Sequence, residues 1–128
     1  MEVKFYKCSH CGNLLIPAID AGVTPFCCGE KMQLLEAGAT DAALEKHVPV
    51  IERGEDGKHV TVKVGSVPHP MAEEHYIQFI VLTHASRIYI AKLTPQDEPQ
   101  ATFSIKDNTR PITAYEYCNL HGLWKTEA

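Results

Sequence analysis

Four of the five cysteines lie within the first 28 residues, and their spacing constrains the N-terminal fold more than any other feature. They are Cys8, Cys11, Cys27 and Cys28. A CxxC pair places two sulfurs on one tight turn, and four neighbouring thiolates can bind a tetrahedral zinc or iron ion. A glycine follows each pair, and its access to positive φ lets backbone N–H groups point at sulfur. The spacing therefore predicts a metal site.

The residues around these cysteines offer almost no core. Short strands are predicted at 3–7 and 31–35, and chains below roughly 40 residues usually need metal, disulfides or a partner to fold. We therefore expect residues 1–36 to form a metal-binding module, followed by a linker at 36–39. Because adjacent side chains diverge, the knuckle at Cys27 and Cys28 must bend sharply, which distorts the tetrahedron. His10 is expected to be exposed, since four sulfurs already complete the site.

The composition excludes several classes of protein. The chain is 45% hydrophobic and 22% charged, which is typical of a globular protein. A net charge of -4 argues against a general nucleic-acid or membrane-surface binder. The sequence has no long apolar run for a membrane span and no apolar segment of a signal peptide at its start. We therefore expect a cytoplasmic protein whose thiols stay reduced, which favours metal binding over disulfides.

The second half of the chain, residues 37–128, has the pattern of a β-sandwich. Strands are predicted at 50–53, 75–83, 87–93 and 101–105, with a last strand at 112–117. A further strand carries Val60, Val62 and Val64 on one face, after an Asp56-Gly57 hairpin signal. Six or seven short strands separated by turn signals are typical of a sandwich. One helical turn is predicted at 42–44, capped by Thr40 or Asp41.

A second group of metal-ligating side chains lies in this domain. It comprises His47, His69, His75, Cys118 and His121. Prolines flank or follow the first two histidines, and rigid flanks hold an imidazole in place at low entropic cost. Cys118 and His121 are three residues apart and can reach one metal across a tight turn. Each residue alone is compatible with a surface role, and Cys118 with a nucleophile, a zinc ligand or neither.

Four imidazoles and one thiolate are five donors, so a six-coordinate iron would keep one position open. A thiolate donates electron density toward whatever binds at that position. Lys46 would add positive charge at the mouth and attract an anion, and Glu45 could reach the open position. The simpler interpretation of Glu45 and Lys46 is a solvated ion pair worth little.

These motifs, in this order, resemble those of desulfoferrodoxin, the two-iron class of superoxide reductase, over essentially the full length. The matching segments are Cys8-x-x-Cys11-Gly12, Cys27-Cys28-Gly29, Glu45-Lys46-His47-Val48-Pro49, His69-Pro70, His75 and Cys118-Asn119-Leu120-His121-Gly122. The aromatic residue after the third histidine is Tyr76, where the family pattern has Trp. His59 and His84 match no family ligand, and we expect them to be surface or structural residues.

The resemblance implies a fold and two iron ions per chain. Residues 1–36 would form a desulforedoxin-like module whose four cysteines hold a rubredoxin-type iron, center I. Residues 37–128 would form an immunoglobulin-like β-sandwich that holds center II. There the four histidines would be equatorial ligands and Cys118 the axial ligand.

The resemblance also implies an activity and partners. The protein would reduce superoxide to hydrogen peroxide without releasing dioxygen, with rubredoxin or a similar small protein as electron donor, and it would be a homodimer. Lys46 would steer the anion, and Glu45 would ligate the ferric resting state.

Two other functions remain open from the residues alone. One is an electron-transfer or iron-storage protein in which the site formed by four cysteines matters and the histidine site is incidental. The other is a zinc-ribbon interaction module joined to a β-sandwich. Colour separates iron from zinc, because two iron centres absorb visible light and zinc does not.

Overall fold

Two units follow each other along the chain, Met1–Glu36 and Ala37–Ala128. The structure is a computed structural model that describes residues 2–39, 42 and 44–128, and the side chain of Glu45 is not among the described parts. The predicted cap, Thr40 or Asp41, therefore lies outside the described residues.

Short strands and turns make up the first unit. Its elements are β1 (Tyr6–Lys7), β2 (Leu14–Leu15), β3 (Phe26–Cys27), β4 (Glu30–Lys31) and β5 (Gln33–Leu34). A three-stranded sheet has the order β2-β1-β5, and β3 pairs with β4 in a separate hairpin. One core cluster of this unit has Tyr6, Cys8 and Met32 as buried members, with Cys27 packed against them, and Val3 and Phe5 are buried as well.

The predicted strand at 31–35 is divided between β4 and β5. At Met32 the backbone N–H donates to the carbonyl of Pro25 at 2.9 Å, and the side chain is buried in the small core. The predicted strand at 3–7 is reduced to its last two residues, β1.

The second unit is a two-layer antiparallel sandwich. Its elements are α1 (Leu44–His47), β6 (Pro49–Arg53), β7 (His59–Val64), β8 (Ile77–His84), β9 (Arg87–Lys92), β10 (Gln100–Ser104), β11 (Ile112–Cys118) and β12 (Gly122–Glu127). One sheet has the order β10-β7-β6 and the other β12-β11-β8-β9. The protein is thus mainly β. No helix in the described part of the chain is long and apolar enough to cross a membrane.

Strand alternation builds the sandwich core as predicted. Val60, Val62 and Val64 on β7 are all at most 1% exposed. Across the sandwich they belong to one cluster with Ile80 and Leu82 of β8, among others. Side chains of a strand alternate between faces, so every second residue of β7 points into the interior.

Two predicted elements in this unit were wrong in position or number. Ile112–Cys118 is not the last strand, because β12 returns antiparallel beside it, from the Cys118↔Gly122 pair to the Thr113↔Glu127 pair. The described helical turn is Leu44–His47, two residues later than predicted, and Ala42 is not part of it. Val48 N–H closes it on the Leu44 carbonyl at 3.0 Å, and Pro49 has no N–H with which to continue the helix.

Strand β8 begins two residues later than predicted. His75 instead forms an isolated bridge with Ala72 through two backbone hydrogen bonds of 3.0 Å each. The pairing of β11 with β8 is regular as far as Tyr117↔Phe79 and then shifts, so that Cys118 pairs with Ile77. Such a bulge reverses the alternation of β8, which is why Ile77 and Ile80 both enter the core.

Candidate metal centres

The N-terminal unit brings the four cysteines together, and we refer to them as the four-cysteine site. The four Sγ atoms lie within 4.8 Å of one another. Gly12 and Gly29 follow the two pairs at φ values of 80° and 77°. Cys28 itself has φ of 53°, a conformation that residues other than glycine rarely adopt. This is the sharp bend that adjacent cysteines require to face one point.

Backbone N–H groups surround the sulfurs of this site. The N–H groups of His10 and Cys11 point at Cys8 Sγ at 3.4 and 3.5 Å. The bond from Cys11, opposed by burial and helped by that from His10, lowers the pKa of Cys8 to about 6. Hydrogen bonding to Cys11 and Cys8 raises the pKa of Cys28 to about 12. Without metal, the four-cysteine site therefore contains both thiolate and thiol groups. A bound cation would displace the remaining thiol protons.

Four imidazoles of the second unit form a closed ring. Its members, in spatial order, are His47, His69, His75 and His121. Neighbouring ring centroids are 4.7 to 5.0 Å apart, and neighbouring planes are inclined by 61° to 81°. The ligand atoms of His47, His69, Cys118 and His121 lie within 4.8 Å of one another. We call the four histidines and Cys118 the five-donor site.

The nitrogen atoms of this ring are available to a cation. His47 Nδ1, His69 Nε2 and His75 Nε2 are buried and have no hydrogen-bond partner among the described residues. His69 Nδ1–H donates to the Pro70 carbonyl at 2.7 Å, which leaves the Nε2 lone pair free for a metal. Unpartnered buried polar atoms are costly unless a ligand satisfies them. The arrangement fits a metal ion.

Burial keeps three of these imidazoles neutral. It lowers the pKa of His47 to about 4, with neighbouring His69 and His121 adding to the effect. Burial also lowers the pKa of His69 and of His75. Neutral imidazole is the form that binds a metal, so protons do not compete for the site near pH 7.

Cys118 completes the donor set from inside the sandwich. It is fully buried, and burial raises the pKa of its thiol, while backbone N–H groups of Leu120 and His121 oppose that rise. A thiolate there needs a cation beside it. Its Sγ lies 3.9 Å from His121 Nδ1 across the turn that joins β11 to β12.

A second acid is buried on the same strand. Glu116 is fully buried, and neither carboxyl oxygen has a partner among the described residues. Burial raises the pKa of Glu116 to about 9, so this carboxyl is protonated and neutral at pH 7. The sequence alone does not single out Glu116, because nothing local distinguishes a buried glutamate from an exposed one.

Lys46 lies beside the histidine ring, as the motif predicts. Its side chain is exposed, and its positive charge contributes to the lowered pKa values of His47, His69 and His75. Its field therefore reaches the site. Glu45 precedes it on α1, but its side chain is outside the described parts.

Asn119 is a site residue that the sequence analysis did not single out. Its side-chain carbonyl accepts from Tyr76 N–H at 3.0 Å, and its side-chain amide donates to the Glu74 carbonyl at 3.1 Å. These residues flank His75, so Asn119 ties the His75 loop to the Cys118 turn. Its position in a tight turn next to the ligand Cys118 could have indicated this role, because asparagine side chains in turns often bond to backbone groups.

The remaining histidines lie outside both sites. His10 is exposed, as predicted, and pairs with Glu30 at 3.1 Å. His59 is exposed and contacts Asp56. His84 is buried on β8, so of the two expected roles it has the structural one.

Comparisons with known proteins identify the family. The family model described as Desulfoferrodoxin matches residues 39–127. The chain is 48% identical over 127 residues to a desulfoferrodoxin of Nitratidesulfovibrio vulgaris, covering 99% of this chain and 98% of that one. This chain belongs to the desulfoferrodoxin family. A superoxide reductase of Thermococcus kodakarensis is 38% identical over 98 residues and covers 65% of this chain and 85% of that one.

Solved structures of family relatives agree in fold. The superoxide reductase from Treponema pallidum has a TM-score of 0.79 and 36% identity, covering 98% of this chain and 99% of that chain. The one-iron superoxide reductase from Giardia intestinalis has a TM-score of 0.56 and 33% identity, covering 66% of this chain and 97% of that chain. The fold is thus a desulforedoxin-like module with a β-sandwich, and the donor sets are those of two iron centres.

Proposed function

We propose that this chain is a superoxide reductase. Superoxide takes up one electron and two protons and leaves as hydrogen peroxide. The observation that carries the proposal is the closed ring of four imidazoles with a buried cysteine beside it. Iron held by these five donors would supply the electron.

The protein's own residues make that site selective for an anion. Burial keeps His47, His69 and His75 neutral, so these three ligands add no charge to the site. Lys46 is exposed beside the ring and is the residue we assign to attracting superoxide. A local cation on a protein of net charge -4 can raise the capture rate of a small anion by focusing the field.

Glu45 is assigned to the resting state of the site. It is adjacent to Lys46 on α1, within the motif that matches the family. Its carboxylate would ligate the oxidised iron in the absence of substrate and give way when superoxide arrives. We expect Glu45→Ala to alter the ferric absorption and to leave the capture rate nearly unchanged.

We further propose a small rubredoxin-like protein as the electron donor. Apolar side chains are exposed close in sequence to three ligands: Leu44, Val67 and Leu120 are 62%, 45% and 57% exposed. Weak electron-transfer complexes use small surfaces of this kind, next to a redox centre.

A homodimer and a cytoplasmic location complete the proposal. Ile88 and Ile90 are exposed on β9, an edge strand that a second copy could cover. All five cysteines are free thiols, which fits a reducing compartment.

The decisive experiment combines metal analysis with a visible spectrum before and after superoxide is added to the reduced protein. We expect about two iron ions per chain, from the two donor sets, and oxidation of the iron in the five-donor site with formation of peroxide. Release of dioxygen would indicate disproportionation of two superoxide ions instead. A colourless, zinc-filled protein that still lacks activity after iron loading would contradict the proposal.

A further inference from the structure

The first ligand of the five-donor site lies on a turn with little support of its own. Helix α1 has four residues and ends at His47, and one described backbone bond, from Val48 N–H to the Leu44 carbonyl, closes it. Leu44 and Lys46 are exposed, whereas His47 is 2% exposed. A single helical turn is not stable alone, so the orientation of His47 must come from a neighbouring element.

Trp124, the only tryptophan of the chain, supplies that contact. Its ring stacks on His47 with centroids 5.2 Å apart and planes inclined by 14°. Its indole Nε1–H donates to the backbone carbonyl of His121 at 3.0 Å. One buried side chain thus contacts the ring of the first ligand and the backbone of the last.

The strand that carries Trp124 also fixes the residues after His47. Thr126 lies two positions further along β12, so its side chain is on the same face. Its hydroxyl donates to the Pro49 carbonyl at 2.7 Å. The backbone of β12 is held by its ladder with β11, in which Trp124 is opposite Glu116. The indole therefore projects from a strand, β12, whose backbone is held in the sheet.

We propose that Trp124 is a positioning residue for the five-donor site. Rotation of an imidazole about its outer side-chain torsion is broad, and a stacked indole restricts it. The indole N–H in turn anchors the turn from which Cys118 and His121 reach the metal. Groups that orient metal ligands typically change metal affinity by about 10–100-fold when removed. The inference concerns iron retention and does not depend on what the iron reacts with.

The test compares two substitutions in the iron-loaded full chain. Trp124→Phe keeps an aromatic ring against His47 and loses the N–H, whereas Trp124→Leu loses both contacts. With excess chelator, we expect iron to leave the five-donor site about tenfold faster in Trp124→Phe and faster still in Trp124→Leu. The visible absorption of the four-cysteine site in the same sample is the internal reference and should not change.

Phe103→Leu is the matched control, because Phe103 is a buried aromatic of the same sandwich that packs near Tyr89. It pairs with Val60, whereas the segment after His47 pairs with Val64 at the other end of β7. It should lower the melting temperature without accelerating iron loss. Unchanged iron retention in both Trp124 variants would overturn the proposal. Iron loss in Phe103→Leu as fast as in Trp124→Leu would also overturn it, since the effect would then follow from stability alone.

Discussion

Cys118 shows how one residue acquires its chemistry from its surroundings. It is fully buried in the sandwich core, at the point where the pairing of β11 with β8 shifts. Burial alone would keep its thiol protonated by raising its pKa. Neighbouring imidazoles bring a cation to it, and the cation in turn stabilises the thiolate.

Cys118→Ser should therefore remove the thiolate-to-iron absorption and most superoxide reduction, while the far-ultraviolet circular dichroism stays native. A hydroxyl is a much weaker donor than a thiolate. Ala114→Ser is the control, since Ala114 is fully buried on the same face of β11 and is not a ligand. Retained absorption in Cys118→Ser would show that another residue is the sulfur or oxygen donor.

Lys46 provides the second prediction at the scale of a residue. Lys46→Ala should slow superoxide capture about tenfold at low salt and weaken its salt dependence, because the local positive field is lost. Lys46→Arg should restore most of the rate, and Lys58→Ala, an exposed lysine on the hairpin turn, should have little effect. Pulse radiolysis at two salt concentrations measures this. Equal rates for Lys46→Ala and the native chain at both concentrations would exclude the steering role.

Among the elements, β7 contributes three fully buried valines to the sandwich core. Val62 is fully buried between β6 and β10, so Val62→Ala should destabilise the second unit by about 2 kcal/mol, through lost apolar burial and a residual cavity. Thr61→Ala, on the opposite face, should cost less than about 1 kcal/mol. Urea unfolding followed by the emission of Trp124 reports on this unit. Equal losses for the two variants would contradict the assignment of faces.

The β6–β7 hairpin gives a prediction of pH dependence. Asp56 accepts hydrogen bonds from the N–H groups of Lys58 and His59, and these bonds, with the His59 ring, lower the pKa of its carboxyl below 3.8. A carboxyl with a depressed folded-state pKa stabilises the fold above 3.8, and that contribution is lost as the pH falls through the folded pKa.

Asp56→Asn should therefore melt slightly below the native chain at pH 7, and the difference should shrink as the pH is lowered toward about 3. Differential scanning calorimetry across this range measures it, with Glu55→Gln as the neighbouring exposed control. A difference that grows on acidification would have the wrong sign.

At the scale of the whole molecule, the two units carry separate metal sites. All ligands of the four-cysteine site lie in Met1–Glu36, and all ligands of the five-donor site lie in Ala37–Ala128. Cys28→Ser should therefore remove the absorption of the iron held by the cysteines and lower the iron content to about one ion per chain, because a tetrahedral site loses one of its four thiolates. Superoxide reduction should persist at the five-donor site.

Ser9→Ala, an exposed residue in the same knuckle region, is the control and should keep both irons. Loss of superoxide reduction in Cys28→Ser with a full iron content in the five-donor site would favour the alternative in which the four-cysteine site is the functional one.

The set of candidate metal ligands and the alternation that builds the core follow from local sequence. Cys8, Cys11, Cys27 and Cys28 are close in sequence, so local turn geometry suffices to assemble them. The alternation of Val60, Val62 and Val64 likewise needs only the period of a strand. Their proline flanks and the spacing of Cys118 and His121 made the histidines candidate ligands, and the family resemblance implied that they share one metal.

The order of the imidazoles around their ring, the shift in pairing at Cys118, and the supports from Asn119 and Trp124 emerge only in the folded chain. Each depends on strand register and on contacts between residues far apart in the chain. Strand β12 was not predicted for the same reason: its short sequence becomes a strand because it pairs with β11. Local propensity does not encode such pairing, because burial on the completed sandwich selects it.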